Sequence, residues 1–153
     1  MEIKNITVLG SGIMGHGIAQ VSAMAGYNVV LRDIEQQFLD KAMEKIKWSL
    51  DKLVSKEKIS EDQRNGIFSR IKPIVDLNDA VRDSDLVIEA VPEIMDLKKK
   101  VYAELDKAAN DHIVFASNTS TLPITEIANT ISRPDKFIGI HFFNPPQLMK
   151  LVE

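Results

Sequence analysis

The chain has 153 residues, a length that suits one domain with a real core. Its 44% hydrophobic and 27% charged residues are ordinary for a globular protein, and a formal net charge of −3 leaves no footprint for nucleic acid or an anionic membrane surface. The lack of cysteine excludes disulfides, thiolate nucleophiles and zinc–thiolate centres together.

No apolar stretch reaches membrane-spanning length. The opening MEIKNITVLG enters a strand-like run without the segments of a secretory leader, so a cytoplasmic location is expected. Residues 3–9 read as a buried strand bounded by glycine. Ile13, Met14, Ile18, Val21 and Ala25 then recur at helical spacing, with Gly26 as the C-terminal stop. Residues 28–31 form a second strand, closed by Arg32 and Asp33. From about residue 36 to 54, Phe38, Leu39, Ala42, Met43, Ile46, Leu50 and Leu53 make one apolar helical stripe. Ser60 followed by Gln63 predicts a capping box for a shorter helix through Ile67 and Phe68.

Alternation of strand and helix then resumes. Residues 71–75 predict a strand in which Pro73 suggests an edge or an irregular start, and DLVIEAV, residues 85–91, a central one. Leu97, Val101, Leu105 and Ala108 mark a helix, residues 113–116 a strand and 125–131 a helix. Residues 137–142 read as a buried strand, and 148–152 as a short further one. The sum is an α/β fold: a Rossmann-type doubly wound, mostly parallel sheet, with a helix pair inserted between strands two and three.

VLGSGIMGHGIA holds Gly10-x-Gly12-x-x-Gly15 between the first strand and the first helix, inside a strand–helix–strand unit. A GxGxxG alone is weak evidence, but this context is what a dinucleotide fingerprint requires. Gly10 permits the tight turn, Gly12 lets the backbone approach a pyrophosphate, and Gly15 lets the helix pack closely. Ile13 and Met14 stand at the helix N-terminus, whose free N–H groups suit phosphate. Asp33, eighteen residues beyond Gly15, is positioned to accept ribose hydroxyls and to repel a 2′-phosphate, which favours NAD over NADP. Arg32 is the contrary signal, although its side chain should point the other way along the strand.

Ligands of such sheets lie outside the carboxyl ends of the strands, so Ala90, Val91 and Glu93 should face the cofactor. Ser117, Asn118, Thr119 and Ser120 end the next strand on the same rim. They read either as caps for the following helix or as hydrogen-bond partners of substrate or nicotinamide, with position favouring function for Asn118 and Ser120. Of the three histidines, His16 reads as a packing or solvent-facing residue and His112 as a solvated turn residue. His141 closes a strand at the rim beside Asn144, and the residues alone leave it either catalytic or a hydrogen-bonded core histidine.

These stretches together, GSGIMGHGIA, DLVIEAVPE with Lys98 following, FASNTSTLPIT and HFFNPPQLMKLVE, closely resemble the N-terminal NAD-binding domain of the L-3-hydroxyacyl-CoA dehydrogenases, the 3-hydroxybutyryl-CoA dehydrogenases included. The resemblance runs from residue 6 to 153 and makes the whole of residues 1–153 one NAD-binding domain. It implies that His141 takes the proton of the 3-hydroxyl as hydride leaves for NAD, and that Glu153 pairs with the imidazole and fixes its tautomer. It implies that Ser120 and Asn144 hydrogen-bond the substrate oxygen and the nicotinamide region, with Glu93, Lys98, Asn118 and Asp33 lining the cofactor. Ser49 and Lys56 become candidate contacts of the coenzyme A moiety, although Lys56 reads equally well as a solvated turn residue.

The family often reads NPVPVMKLVE where this chain has NPPQLMKLVE, a change that leaves the His141-to-Glu153 spacing intact. The family also carries a second, helical domain that closes the substrate cleft, contributes an active-site asparagine and forms much of a homodimer interface. Exposing Leu151 and Val152 at a chain end makes little structural sense, so a continuation beyond Glu153 is expected. The function implied is NAD-dependent oxidation of (S)-3-hydroxyacyl-CoA to 3-ketoacyl-CoA, with little activity from this chain alone. A non-catalytic NAD-binding module and a gulonate-type dehydrogenase are the alternatives.

Overall fold

The computed structural model describes residues 2–153. Six parallel strands make one sheet in the order β3-β2-β1-β4-β5-β6: β1 (Asn5–Leu9), β2 (Asn28–Arg32), β3 (Ile71–Ile74), β4 (Leu86–Glu89), β5 (Val114–Ser117) and β6 (Phe137–Gly139). The chain winds outward from β1 to β3, returns to pair β4 with β1, and winds outward again. The expected doubly wound fold is therefore present. The carboxyl ends of β1 and β4 part at this switch point and open a crevice.

Strand pleating sorts the core into two layers. Ile6, Val8, Leu86 and Ile88 face α1 (Ile13–Met24), α2 (Gln36–Ser55) and α3 (Glu61–Ser69), against Ile18, Ala19, Leu39, Ile46, Leu50 and Ile67. Leu9, Val87 and Phe115 face α5 (Met95–Ala108) and α6 (Ile124–Ala128), against Tyr102, Leu105 and Ile127. Central strands buried on both faces explain the nearly continuous apolar runs in β1 and β4.

The inserted helix pair is α2 and α3. Ser60 caps α3 by accepting from the Gln63 N–H at 3.1 Å, while Gln63 Oε1 accepts from the Ser60 N–H at 2.9 Å, the capping box the sequence predicts. Pro73 lies in β3, which is an edge strand, so its missing N–H costs no central ladder bond. Gly26 follows α1 at φ +100°, the left-handed stop expected of it.

Several expectations need correction. β4 is shorter than residues 85–91: Asp85 precedes it and its side chain accepts the Lys4 and Asn5 N–H groups, both at 2.8 Å, while Ala90 makes a last bond to the Leu9 carbonyl at 2.8 Å and the Val91 N–H turns to the Glu89 side chain. The helix expected over 125–131 is a five-residue element, α6. The strand expected over 148–152 reduces to one antiparallel bridge between Phe142 and Val152. The buried strand expected over 137–142 is the three-residue edge strand β6, with Ile138 50% exposed, because only β5 pairs with it. His141 thus sits two residues past a half-exposed edge strand rather than at the end of a buried one. The short helix α4 (Leu77–Val81), capped by Asp76, was too brief to leave a period in the sequence.

Candidate active site

The glycine loop turns directly over the switch point. Gly10 has φ +88°, and a side chain there would also meet the Ala90 carbonyl at 2.7 Å. A Cβ at Gly15 would lie 1.6 Å from the Gly10 carbonyl oxygen, so the first turn of α1 packs on the loop itself. A Cβ at Gly12 would touch nothing within 4 Å. The backbone there faces open cleft, and no side chain caps the α1 N-terminus behind it. His16 lies under this loop, 9% exposed, with Nδ1 donating to the Gly12 carbonyl at 2.5 Å; burial pushes its pKa down. It is a packing residue.

Asp33 follows β2 and turns back to the loop. Its Oδ2 accepts from the Ser11 N–H at 2.7 Å and the Ser11 hydroxyl at 2.6 Å, and its Oδ1 from the Ile34 N–H at 2.7 Å. Arg32 Nε donates to the Val75 carbonyl at 3.0 Å, yet Arg32 also borders the cleft, against the expectation that its side chain points the other way.

Across the crevice, Glu89 at the end of β4 is fully buried. Its Oε1 accepts from Lys98 Nζ at 2.6 Å and from the Val91 N–H at 2.8 Å, and its Oε2 from the Ser117 hydroxyl at 2.7 Å. Lys98, 1% exposed, also reaches Glu93 Oε2 at 3.2 Å and the Val91 carbonyl at 3.3 Å. Glu93 Oε1 accepts from the Thr119 hydroxyl and from the Ser120 N–H at 3.0 Å. Burial pushes the Glu93 pKa up, but the Thr119 hydroxyl, Lys98 and the Ser120 N–H outweigh it and hold the carboxyl below its usual value. Glu89 went unnoticed in the sequence. The signal was there: a lone acid inside a strand buried on both faces needs a partner, and Lys98 stands nine residues on.

His141 is delivered by the chain leaving β6. Asn118 Oδ1 accepts the Phe142 N–H at 2.8 Å, and the Ser117 carbonyl accepts the Ile140 N–H at 3.0 Å, fixing the segment to the end of β5. The chain then turns through Asn144 and comes back antiparallel. His141 Nδ1 meets Glu153 Oε2 at 3.1 Å. An ionised carboxylate only accepts, so Nδ1 carries the proton and Nε2 is left as a free acceptor.

A cleft of about 770 Å³ joins these parts. It is bordered by Gly10, Gly12, Ile13, Met14, Asp33, Ala90, Val91, Glu93, Lys98, Asn118, Ser120, His141 and Asn144, so nearly every residue singled out in the sequence converges there. Phe142 and Phe143 join them without having been foreseen, since aromatic residues in an apolar run carry no separate signal. Gly15 lies beneath the loop, and Glu153 supports His141 without bordering the cleft. Ser49, half-buried on α2, and the exposed Lys56 at its end do not border it either.

Fold and site define a dinucleotide-binding domain of the doubly wound class with an imidazole–carboxylate pair at its rim. The family model for the 3-hydroxyacyl-CoA dehydrogenase NAD binding domain matches residues 5–153, and the chain belongs to that family. It is 45% identical over 157 residues to the mitochondrial hydroxyacyl-coenzyme A dehydrogenase of Homo sapiens, covering 99% of this chain and 50% of that protein. With the 3-hydroxybutyryl-CoA dehydrogenase of Bradyrhizobium diazoefficiens the identity is 42% over 151 residues, covering 99% and 51%. The crystal structure of (S)-3-hydroxybutyryl-CoA dehydrogenase from Ralstonia eutropha superposes with a TM-score of 0.95 at 41% identity, over 99% of this chain and 53% of that one. The chain thus spans about half the length of the curated relatives it matches.

NAD is the cofactor of this domain family, and the residues fit it. The open space before Gly12 and the uncapped helix behind it suit a pyrophosphate, and Asp33 stands at the end of β2 where a ribose would lie. Among the described residues no helix is long and apolar enough to cross a membrane.

Proposed function

We propose that this chain serves the NAD-dependent oxidation of (S)-3-hydroxyacyl-CoA thioesters, 3-hydroxybutyryl-CoA among them, to 3-ketoacyl-CoA. The observation that carries the reading is the 3.1 Å contact of His141 Nδ1 with Glu153 Oε2: a proton on Nδ1, donated to the carboxylate, leaves Nε2 to take a proton at the rim of the cleft. NAD, when bound, supplies the hydride acceptor. His141 removes the hydroxyl proton, and Glu153 stabilises the imidazolium that forms. Ser120 and Asn144, exposed on the cleft, hold the substrate oxygen and the nicotinamide region. Ala90, Val91 and Glu93 form the opposite rim.

In this reading Ser49 and Lys56 contact the coenzyme A moiety outside the cleft, and the intact protein is a cytoplasmic homodimer. Isolated, the 153 residues bind NAD with little turnover, since they span only about half the length of the dehydrogenases they match. The test is NADH oxidation with acetoacetyl-CoA by the intact protein and its His141→Ala variant. General-base catalysis supplies about 10²–10⁴-fold, and a loss of that order is expected. Undiminished turnover in the variant sinks the assignment.

A further inference from the structure

Glycine inside a helix is unfavourable relative to alanine, so one that stands there needs a reason. Gly17 lies within α1, buried and in ordinary helical backbone. A Cβ on it would lie 2.7 Å from Gln147 Oε1, 2.9 Å from Pro146 Cδ and 3.0 Å from Pro146 Cγ. The missing side chain leaves a notch, and the chain between His141 and Glu153 fills it.

That stretch is one closed loop held at both ends. Its base is the pair of main-chain bonds between His141 and Glu153, at 2.8 and 2.9 Å, with the Phe142–Val152 bridge beside them. Its tip is the 145–149 turn, where the Leu148 and Met149 N–H groups both donate to the Pro145 carbonyl at 3.0 Å. The base is tied to β5 through Asn118 and Ser117, and the tip sits on α1.

The contact has a polar side. Among the described residues, two buried side-chain oxygens lack a hydrogen-bond partner, Gln147 Oε1 and Gln20 Oε1. Buried acceptors without a donor are costly. Gln20 is 1% exposed and stands one turn beyond Gly17 on the same face of α1, about 5–6 Å on between Cβ positions. Its Nε2 reaches Met24 Sδ at 3.8 Å, so its oxygen is the end left over. An amide exchanges its donor and acceptor by a half-turn about its last bond. A half-turn of Gln147 brings its NH₂ into the notch, where Gln20 Oε1 can accept it.

We propose that Gln147 is a positioning residue: seated in the Gly17 notch and hydrogen-bonded to Gln20, it anchors the 145–149 turn on α1 and so holds Asn144 over the cleft. The inference rests on the reading that gives Asn144 and His141 their roles. Asn144 precedes the turn by one residue and borders the cleft with Gly12, Ile13 and Met14. One helix thus serves both parts of the site, its first turn facing the cleft and its interior seating the loop.

The test compares Gly17→Ala, Gln147→Ala, Gln20→Ala and Gln20→Ala/Gln147→Ala in the intact protein, with acetoacetyl-CoA and NADH. Alanine favours a helix, so without a use for the notch Gly17→Ala would be at least as stable and as active as wild type. Misplacement of reacting groups by about 1 Å can cost about 10²-fold, and Gly17→Ala should lower kcat by about 10–100-fold. Gln147→Ala should lower it by about 3–10-fold, and calorimetric NAD affinity should move by less than about threefold in both. Losses in the double variant should not multiply, because the two amides make one interaction. Wild-type kcat in Gly17→Ala, a weakened NAD affinity with wild-type kcat, or multiplied losses overturns the proposal.

Amide hydrogen exchange at Leu148 and Met149 gives a readout free of turnover. Gly17→Ala and Gln147→Ala should each speed it by about 10-fold, with β1 and β4 keeping their protection. Unchanged exchange in the turn, or faster exchange throughout the sheet, overturns the positioning role. Should the wild-type protein fail to turn over acetoacetyl-CoA, the functional reading falls, and exchange alone decides whether the notch seats the turn.

Discussion

His141 and Glu153 are joined twice. Their main chains exchange both hydrogen bonds, His141 N–H to Glu153 O at 2.8 Å and Glu153 N–H to His141 O at 2.9 Å, and their side chains meet at 3.1 Å. The backbone pair fixes the distance between the two Cα atoms, so the carboxylate need not search for the ring. The side-chain bond then selects the tautomer. Glu153→Gln keeps size and shape, but its NH₂ can donate to Nδ1 and favour the wrong tautomer. We expect kcat to fall by about 10²–10⁴-fold, while calorimetric NAD affinity is unchanged. Wild-type turnover in this variant would remove the orienting role.

Asp33 yields a second prediction. Charge-assisted hydrogen bonds are worth about 1.5–3 kcal/mol each. Asp33→Ser should therefore weaken NAD binding by about 10–100-fold and narrow the preference over NADP. Because Asp33 also holds the Ser11 N–H and hydroxyl, the variant loosens the loop as well as the ribose contact. Ser11→Ala leaves the carboxylate and the Ser11 N–H in place and should bind NAD within about threefold of wild type. Calorimetry with both dinucleotides checks the pair, and equal NAD affinity in Asp33→Ser would be fatal to the ribose assignment.

The fold was legible because its signals are local and repeated: apolar runs four to seven residues long, helical stripes, and a glycine loop whose constraints are steric. What failed to read were the features set by neighbours. The extent of β4 depends on Asp85 serving Lys4 and Asn5 from eighty positions away, and the exposure of β6 depends on its having one partner. In the site, Asp33 and His141 stood out by type and position, whereas Glu153 entered only through the family resemblance. Glu89 carried only the signal of a lone acid in a buried strand, and its full role lies in Lys98, Ser117 and Val91 converging on it. The shared hydrogen bonding of Asn118 to Phe142 is likewise a matter of tertiary placement.

That buried pair supports a stability prediction. Glu89 is 0% and Lys98 1% exposed, so Lys98→Met strands the Glu89 charge away from water, whereas Glu89→Leu leaves Lys98 paired with Glu93 at 3.2 Å. Lys98→Met should cost about 3–5 kcal/mol in urea unfolding, and Glu89→Leu less. Glu89→Leu/Lys98→Met replaces both charges with apolar groups and should be more stable than either single variant, although Ser117 loses its acceptor. Additive losses in the double variant would mean that the two side chains are not energetically coupled.

His16 ties stability to pH in a window of its own. Burial lowers its pKa below the ordinary 6.5, the Gly12 and Ser11 backbone groups favour the charged form less strongly than burial opposes it, and Lys45 adds repulsion. The folded protein therefore holds the neutral ring, and the unfolded chain binds the extra proton first. The stability His16 confers is complete above the unfolded value and is lost as pH falls through the lowered folded value. Glu93, Asp85 and Asp106 are depressed carboxylates with ordinary values of 4.5, 3.8 and 3.8, so their contributions stay in place until the pH is more acidic still. His16→Asn keeps an N–H donor for the Gly12 carbonyl but has nothing to titrate. Between about pH 7 and pH 5 the wild-type Tm should fall more steeply than that of His16→Asn, and parallel curves would show that the buried ring does not govern acid sensitivity.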